Sequence, residues 1–165
     1  MKYTMTVLVE NHAGVLSKVS GLFSRRGFNI DSLAVGISED PTISRMTIVV
    51  DGDEYTVEQV EKQLNKVIPV IKVKTLKEGE YIQRTLSLIK VSVSAGHRAE
   101  IMRIAELTGA RIVDATRTTM TVEFCDTADR ARMLETLLRP YGIKEIVRTG
   151  VIAIEKGPDP TRTVN

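Results

Sequence analysis

The first stretch of the chain alternates. Tyr3, Met5, Val7 and Val9 are separated by Thr4, Thr6 and Leu8, which predicts a strand with one well-buried face. A polar turn, Glu10-Asn11-His12-Ala13-Gly14, follows. Val15, Leu16, Val19, Leu22 and Phe23 then recur at helical spacing. Arg25-Arg26-Gly27 supplies cations and a glycine where that helix should stop. Two strands are predicted over 30–38 and 44–51, joined by Glu39-Asp40-Pro41-Thr42. Thr56 and Gln59 have capping-box spacing, so a second helix should start there, bury Val57, Val60, Leu64 and Val67, and end at Pro69. Val70, Ile71, Val73 and Leu76 predict a last strand.

This order, β-α-β-β-α-β, is the split βαβ or ferredoxin-like arrangement. Both helices then cover one face of a four-stranded sheet, and the other face needs a partner or a polar coat. Lys77-Glu78-Gly79-Glu80 reads as a linker, after which the pattern restarts. Strands are predicted around Leu86 to Val93, Ile112 to Ala115, Met120 to Phe124, Ile143 to Val147 and Val151 to Ile154. Helices carry Ile101, Ile104, Ala105 and Thr108, then Ala131, Leu134, Leu137 and Leu138, with Asp126 or Thr127 as the second cap. The expected class is α+β: two ferredoxin-like βαββαβ units with antiparallel sheets and helices on one face. The boundaries are 2–77, a linker at 78–83, a second unit at 84–156 and a flexible tail at 157–165.

Composition narrows the function. Lys and Arg number 23 against 21 Asp and Glu, a net charge of +2, which gives no electrostatic basis for bulk binding to nucleic acid or anionic membrane. No stretch approaches the roughly 20 apolar residues that span a bilayer, and the start of the chain has no signal-peptide pattern. A cytoplasmic protein is expected. The lone Cys125 forms no intrachain disulfide; it reads as a small buried hydrophobe at a strand end. Two histidines, His12 and His97, and one cysteine make a poor metal set unless chains combine. Asp51, Asp53 and Glu54 serve a turn and a helix start rather than acid–base chemistry. No P-loop, nucleophile elbow or dinucleotide fingerprint is present. Arg26-Gly27-Phe28 imitates an RNA-recognition signature, but it ends a helix, and the predicted third strand has no aromatic residue.

The segment Asn11 to Leu16 is the chemically interesting one. It joins a strand to a helix start, where unpaired backbone N–H groups and a positive dipole end can hold a carboxylate. Gly14 permits close approach to the backbone. Asn11 and Asn29 offer amide donors and acceptors. Equally, Asn11 and Gly14 are ordinary turn and cap residues.

Glu10-Asn11-His12-Ala13-Gly14-Val15-Leu16-Ser17-Lys18-Val19, with Leu22-Phe23-Ser24-Arg25-Arg26-Gly27-Phe28-Asn29-Ile30-Asp31-Ser32-Leu33, resembles an ACT domain. More narrowly, it is similar to the regulatory small subunits of acetolactate synthase. Asp40-Pro41-Thr42-Ile43-Ser44-Arg45-Met46-Thr47-Ile48, Glu58 to Lys66, Glu80 to Val93 and Arg148-Thr149-Gly150-Val151 extend the likeness over about residues 2 to 156. The resemblance implies a chain without catalytic residues that binds a large catalytic subunit. That subunit would carry thiamine diphosphate, Mg and usually FAD; no cofactor is expected on this chain. It further implies activation of that subunit, feedback inhibition by a branched-chain amino acid, most often valine, and a homodimer through the ACT domains. The implied effector-binding residues are Asn11, His12, Ala13, Gly14, Val15 and Leu16 of one chain, with Asn29 and Ile30 of the other and Val35 as an apolar contact. Gly36 stands where some relatives have alanine, which bears on pocket shape. The C-terminal unit would help relay the signal. The competing expectation is a free-standing ACT-type amino-acid sensor acting on a different protein.

Overall fold

A computed structural model describes residues 1–161. The tail predicted over 157–165 lies partly outside the described residues, which end before 162. The chain divides into two compact units, residues 1–82 with 151–165, and residues 83–150. The second unit is thus inserted in the first, and the chain passes between them twice.

In the first unit the elements are β1 (Lys2–Glu10), α1 (Val15–Arg26), β2 (Ile30–Ile37), β3 (Ile43–Asp51), α2 (Glu54–Leu64) and β4 (Val70–Thr75). The antiparallel sheet has the order β2-β3-β1-β4. Met5, Val7 and Val9 of β1 and Met46, Ile48 and Val50 of β3 point into one core. There they meet Val19, Leu22 and Phe23 of α1 and Val60 and Leu64 of α2. Gly27 takes the left-handed conformation (φ 68°) that ends α1, and its N–H bonds back to the last turn. Helix α2 begins two residues before the predicted start. Its cap is Asp53, not Thr56: the Asp53 carboxylate accepts from the Thr56 N–H at 2.8 Å and from the Thr56 hydroxyl at 2.6 Å. The carboxylate therefore satisfies an orphan first-turn donor, and those two bonds hold its pKa below the usual carboxylate value. The helix also stops earlier than predicted. It ends at Leu64, leaving Val67 and Pro69 in the connection to β4.

The other face of this sheet departs from expectation. It is neither open nor waiting for a partner, because the same chain covers it. Thr4, Thr6, Leu8, Thr47 and Val49 are all buried. The cover is β9 (Ile152–Glu155), which pairs with β5 (Tyr81–Ser92), as its place in the second predicted unit implies, and which by its contacts groups with the first unit. Arg45 Nη2 donates to the Ala153 carbonyl at 3.0 Å and to Thr6 Oγ1 at 3.4 Å. The Val151 N–H donates to Ser32 Oγ at 2.8 Å. Lys74 pairs with Glu155 at 2.7 Å, and the Lys156 N–H reaches the Glu80 carbonyl. Threonine hydroxyls under a strand let polar sheet positions be buried without orphaning donors.

The second unit runs β5 (Tyr81–Ser92), α3 (Arg98–Thr108), β6 (Arg111–Ala115), β7 (Thr119–Asp126), α4 (Ala128–Leu138), a short 3-10 turn (Arg139–Tyr141) and β8 (Ile143–Arg148). Tyr81 to Gln83 are strand rather than linker. The order β6-β7-β5-β8 repeats the first unit's topology, around a core that includes Ile89, Val91, Ile101, Val122, Phe124, Leu134 and Leu138. Thr127, one of the two predicted caps, accepts from the Arg130 N–H. Glu135, although 6% exposed, is a bidentate acceptor for Arg148, at 2.9 and 2.8 Å. That geometry makes burial of the carboxylate tolerable. Cys125 is exposed, not a buried hydrophobe: along β7, Met120, Val122 and Phe124 point into the core, so Cys125 faces the other side. No helix among the described residues is long and apolar enough to cross a membrane.

Replacing Arg45 with methionine keeps the bulk of the stem and removes both donors. The Ala153 carbonyl then loses a charged donor, at a cost of about 1–3 kcal/mol. Amide exchange in 152–155 should quicken while exchange in α2 stays near its original rate. Unchanged exchange in 152–155 would show that Arg45 does not hold β9.

Candidate functional site

The loop between β1 and α1 is built from both flanking elements. The Asn11 N–H donates to the Thr42 carbonyl at 2.8 Å, and its side-chain amide donates to the Pro41 carbonyl at 2.9 Å. The β2–β3 loop is fixed in turn by Asp40, whose carboxylate accepts from the Thr42 N–H and hydroxyl. These bonds lower the Asp40 pKa. Asn11 is therefore anchored to Pro41 and Thr42, with its side-chain oxygen left as an acceptor. No local pattern around Asn11 shows this anchorage, since the partners lie about thirty residues on.

Gly14 caps α1 with φ 87° and ψ −10°. A residue with a Cβ is strained there, although the space around the position is open. Glycine has no side chain to accept from the first turn, and that turn contains no acidic residue. The N–H groups of Val15, Leu16 and Ser17 thus begin the helix without the usual capping oxygen, at the positive end of its dipole. The Val15 side chain is buried in the core, so only its backbone is on offer. Leu16, by contrast, is 46% exposed.

His12 stands at the mouth of this loop. Its Nε2 lies 2.8 Å from Glu10 Oε2 and its Nδ1 3.2 Å from the Ala13 carbonyl. Both ring nitrogens face acceptors, and only the imidazolium has two donors. Its pKa is raised from the ordinary 6.5, first by the Glu10 bond and then by the Ala13 bond, with desolvation and, more weakly, Lys18 opposing. His97 has no comparable setting: it starts α3, bonds Ser94 Oγ at 2.7 Å and packs edge-on against Tyr141. No group of three or more His, Cys, Asp or Glu among the described residues is placed to hold a metal ion.

Asn29, Ile30 and Val35 do not gather round this loop in one chain. β3 carries the register from β2 to β1: Ile30 lies opposite Val50 and so in line with Tyr3, while Ile37 lies opposite Ser44 and in line with Val9. Asn29 and Ile30 are therefore at the opposite end of the sheet from Asn11 to Leu16, roughly 23 Å away at strand rise. Val35, 47% exposed, sits toward the loop's end of the edge strand, on the helix face beside Met46. Val35 is within the loop's end of the molecule; Asn29 and Ile30 are not.

Sequence pattern gave no role to two further features of this unit, Ser32 and Arg45. The first is the acceptor for Val151 on the edge strand, and the second is the clamp on β9. The only hint was a polar residue at each position within apolar strands.

Comparison with known proteins agrees with this architecture. Residues 5–72 match the AHAS small subunit-like ACT domain, and residues 84–157 match the small subunit of acetolactate synthase. A probable acetolactate synthase small subunit of Archaeoglobus fulgidus is 49% identical over 157 residues, covering 95% of this chain and 98% of that one. The acetolactate synthase isozyme 3 small subunit of Salmonella typhimurium is 42% identical over 158 residues, covering 95% and 97%. The crystal structure of the acetolactate synthase small subunit from Thermotoga maritima superposes with a TM-score of 0.90 at 35% identity, covering 96% and 99%. On sequence, on fold and over nearly its whole length, the chain belongs to the acetolactate synthase small-subunit family, with an ACT domain as its first unit.

Proposed function

We propose that this chain is the non-catalytic regulatory subunit of acetolactate synthase. It binds and activates a large catalytic subunit, which carries thiamine diphosphate, Mg and FAD, and it makes that subunit sensitive to valine. The observation that carries the effector reading is the uncapped start of α1. A left-handed glycine presents a turn of unbonded N–H groups to solvent, with the Asn11 oxygen and a cation-favouring His12 beside them. An amino acid's carboxylate suits the N–H groups, and its ammonium suits an amide oxygen.

The separation of Asn29 from this loop argues for a site completed by a second copy. β2 is an edge strand, and Val35 and Ile37 on it are exposed. Ser17, Ser20, Gly21 and Ser24 give α1 a face of small side chains, which permits close helix approach. Take a twofold axis that crosses α1 between Ser20 and Gly21 and β2 at Leu33, with Asp31 as the extra residue of the Ile30–Ser32 bulge left out of the pairing. Both points lie about 10 Å from the α1–β2 turn, by helix rise and strand rise. Antiparallel self-pairing of β2 about that axis sets Asn29 of one copy opposite Gly36 of the other, and Ile30 opposite Val35. The missing asparagine then arrives at the end that bears Asn11 to Leu16. Valine's side chain would meet Val35 and Ile30, and its binding would favour the less active arrangement of the complex.

Calorimetric titration of the chain with valine tests the site. The wild type should bind saturably. Gly14→Asp puts a carboxylate against the effector's own and should lower affinity at least about tenfold, roughly 1.4 kcal/mol, with activation of the catalytic subunit retained. Full valine sensitivity in that variant would remove the loop from the site. Asn29→Ala loses a hydrogen bond to a charged group and should weaken binding by roughly 10–150-fold, about 1.5–3 kcal/mol. A fall in melting temperature with unchanged affinity would make Asn29 structural instead.

The site also carries a pH dependence. His12 is held cationic by Glu10 and Ala13, and a bound carboxylate favours the same form. Affinity for valine should therefore be full below the His12 pKa and decline as pH rises through it, on the alkaline side of 6.5. His12→Gln should flatten the profile. An identical profile in that variant would assign the dependence to another group.

A further inference from the structure

The segment that leads from β8 into β9 is pinned at closely spaced points. Arg148 donates to both oxygens of Glu135, at 2.9 and 2.8 Å. The Thr149 N–H donates to the Leu86 carbonyl at 2.9 Å, and Thr149 Oγ1 accepts from the Leu86 N–H at 2.9 Å. The Thr85 hydroxyl donates to the Thr149 carbonyl at 3.2 Å. All these partners belong to the second unit, and after Gly150 the chain crosses to the first. There the Val151 N–H donates to Ser32 Oγ at 2.8 Å, Arg45 holds the Ala153 carbonyl and Lys74 pairs with Glu155. Gly150 alone separates the Thr149 anchorage from the Val151 anchorage.

The anchors in the first unit differ in what they can sense. Arg45 stands on β3, which is paired on both sides, and Lys74 on β4. Ser32 stands on β2, the edge strand that self-pairing would occupy. Ser32 lies opposite Val49, and Ala34 opposite Thr47, so both face the side that β9 covers. Among the described residues, Ser32 is the one member of β2 that hydrogen-bonds this segment. With the pairing axis at Leu33, Ser32 is next to the axis and opposite Ala34 of the other copy. The bond is also easily broken. An N–H···O bond of 2.8 Å reaches its limit, near 3.6 Å, after a shift of about 0.8 Å.

We propose that Ser32 is the positioning residue through which an amino acid bound at the paired β2 edges acts on the segment leading back to the second unit. A ligand that favours one position of β2 moves Ser32. Val151 follows through its N–H or loses that bond, and either change reaches Thr149 across Gly150 alone. The role rests on valine binding at the paired edges, and it separates the binding of valine from the response to it. Ser32 itself touches no part of the ligand.

Two measurements on Ser32→Ala and Ser32→Thr test this: calorimetric titration of the free chain with valine, and valine inhibition of the complex with the catalytic subunit. Ser32→Ala should bind valine within about twofold of wild type, while the coupling of about 5–150-fold that links valine to the complex disappears and inhibition at saturating valine is lost. Ser32→Thr keeps the hydroxyl and should keep the inhibition. Full inhibition in Ser32→Ala, a valine affinity that falls in step with inhibition, or no rescue by Ser32→Thr overturns the proposal. Amide exchange on the free chain gives a second readout. Saturating valine should change exchange across 151–155 in the wild type and leave it unchanged in Ser32→Ala. No change in the wild type, or the same change in the variant, overturns the proposal while valine binding itself stands. A wild type that neither binds valine nor is inhibited by it removes the effector reading, and the role of Ser32 with it.

Discussion

The strand order β2-β3-β1-β4 governs what this molecule can do with its first unit. Because β3 lies between β1 and β2, those two strands run parallel, and α1 must return the chain along the whole sheet. The loop that opens α1 and the turn that closes it therefore end up at opposite ends of the sheet. Asn11 and Asn29 are only eighteen positions apart in sequence, yet no side-chain motion brings them together. A site that uses both has to borrow one of them. The edge position of β2 is what makes borrowing feasible, since an edge strand presents unpaired N–H and C=O groups to a second copy.

Edges and faces are handled differently in the two units, although their topology is the same. In the first, Thr4, Thr6, Leu8, Thr47 and Val49 would have been a half-polar open face, but β9 closes it and Arg45 pins β9 in place. In the second, Leu86, Leu88 and Val147 stay partly exposed on the equivalent face, together with Cys125. The first unit has thus used the chain's own C-terminal strand on one face, and β2 remains an edge of its sheet. The anchoring of Val151 on Ser32 is relevant here, because Ser32 belongs to that edge strand. Any shift of β2 on pairing acts directly on the start of β9.

The alternation and the helical stripes made the six-element order of each unit legible, because each buried stripe is a local feature of consecutive residues. What the pattern could not show were pairings at long sequence separation. Leu8 and Val49 stand on the parity assigned to the polar face, which was a trace of a second covering layer, but the strand that covers them comes a hundred residues later. The same holds for Asn11, whose orientation depends on the Pro41 and Thr42 carbonyls. Thr56 was misread for a different reason. Asp53 and Thr56 are both competent caps, and the carboxylate wins because it accepts from two groups at once. Cys125 was misread by weighing its apolar neighbours above its alternation with Phe124. The glycine at position 14 was legible as a place of close approach. Its left-handed conformation and the absent cap are what distinguish a vacant helix start from a satisfied one.

A site split between two copies has a thermodynamic consequence of its own. Only the associated form binds, so apparent affinity is the intrinsic affinity reduced by the fraction of chains that are associated. By linkage the effector must in turn tighten the association by the same factor. Sensitivity to an amino acid would then drift with protein concentration unless association were secured by other contacts. Contacts elsewhere between copies would let the contact around a ligand remain small and adjustable, with Gly36 and four small residues of α1 at its centre. The same division lets the loop between β1 and α1 leave backbone donors unbonded at little cost. Stability is held in the two cores and in the clasp of β9, so the fold does not depend on the loop's donors being bonded.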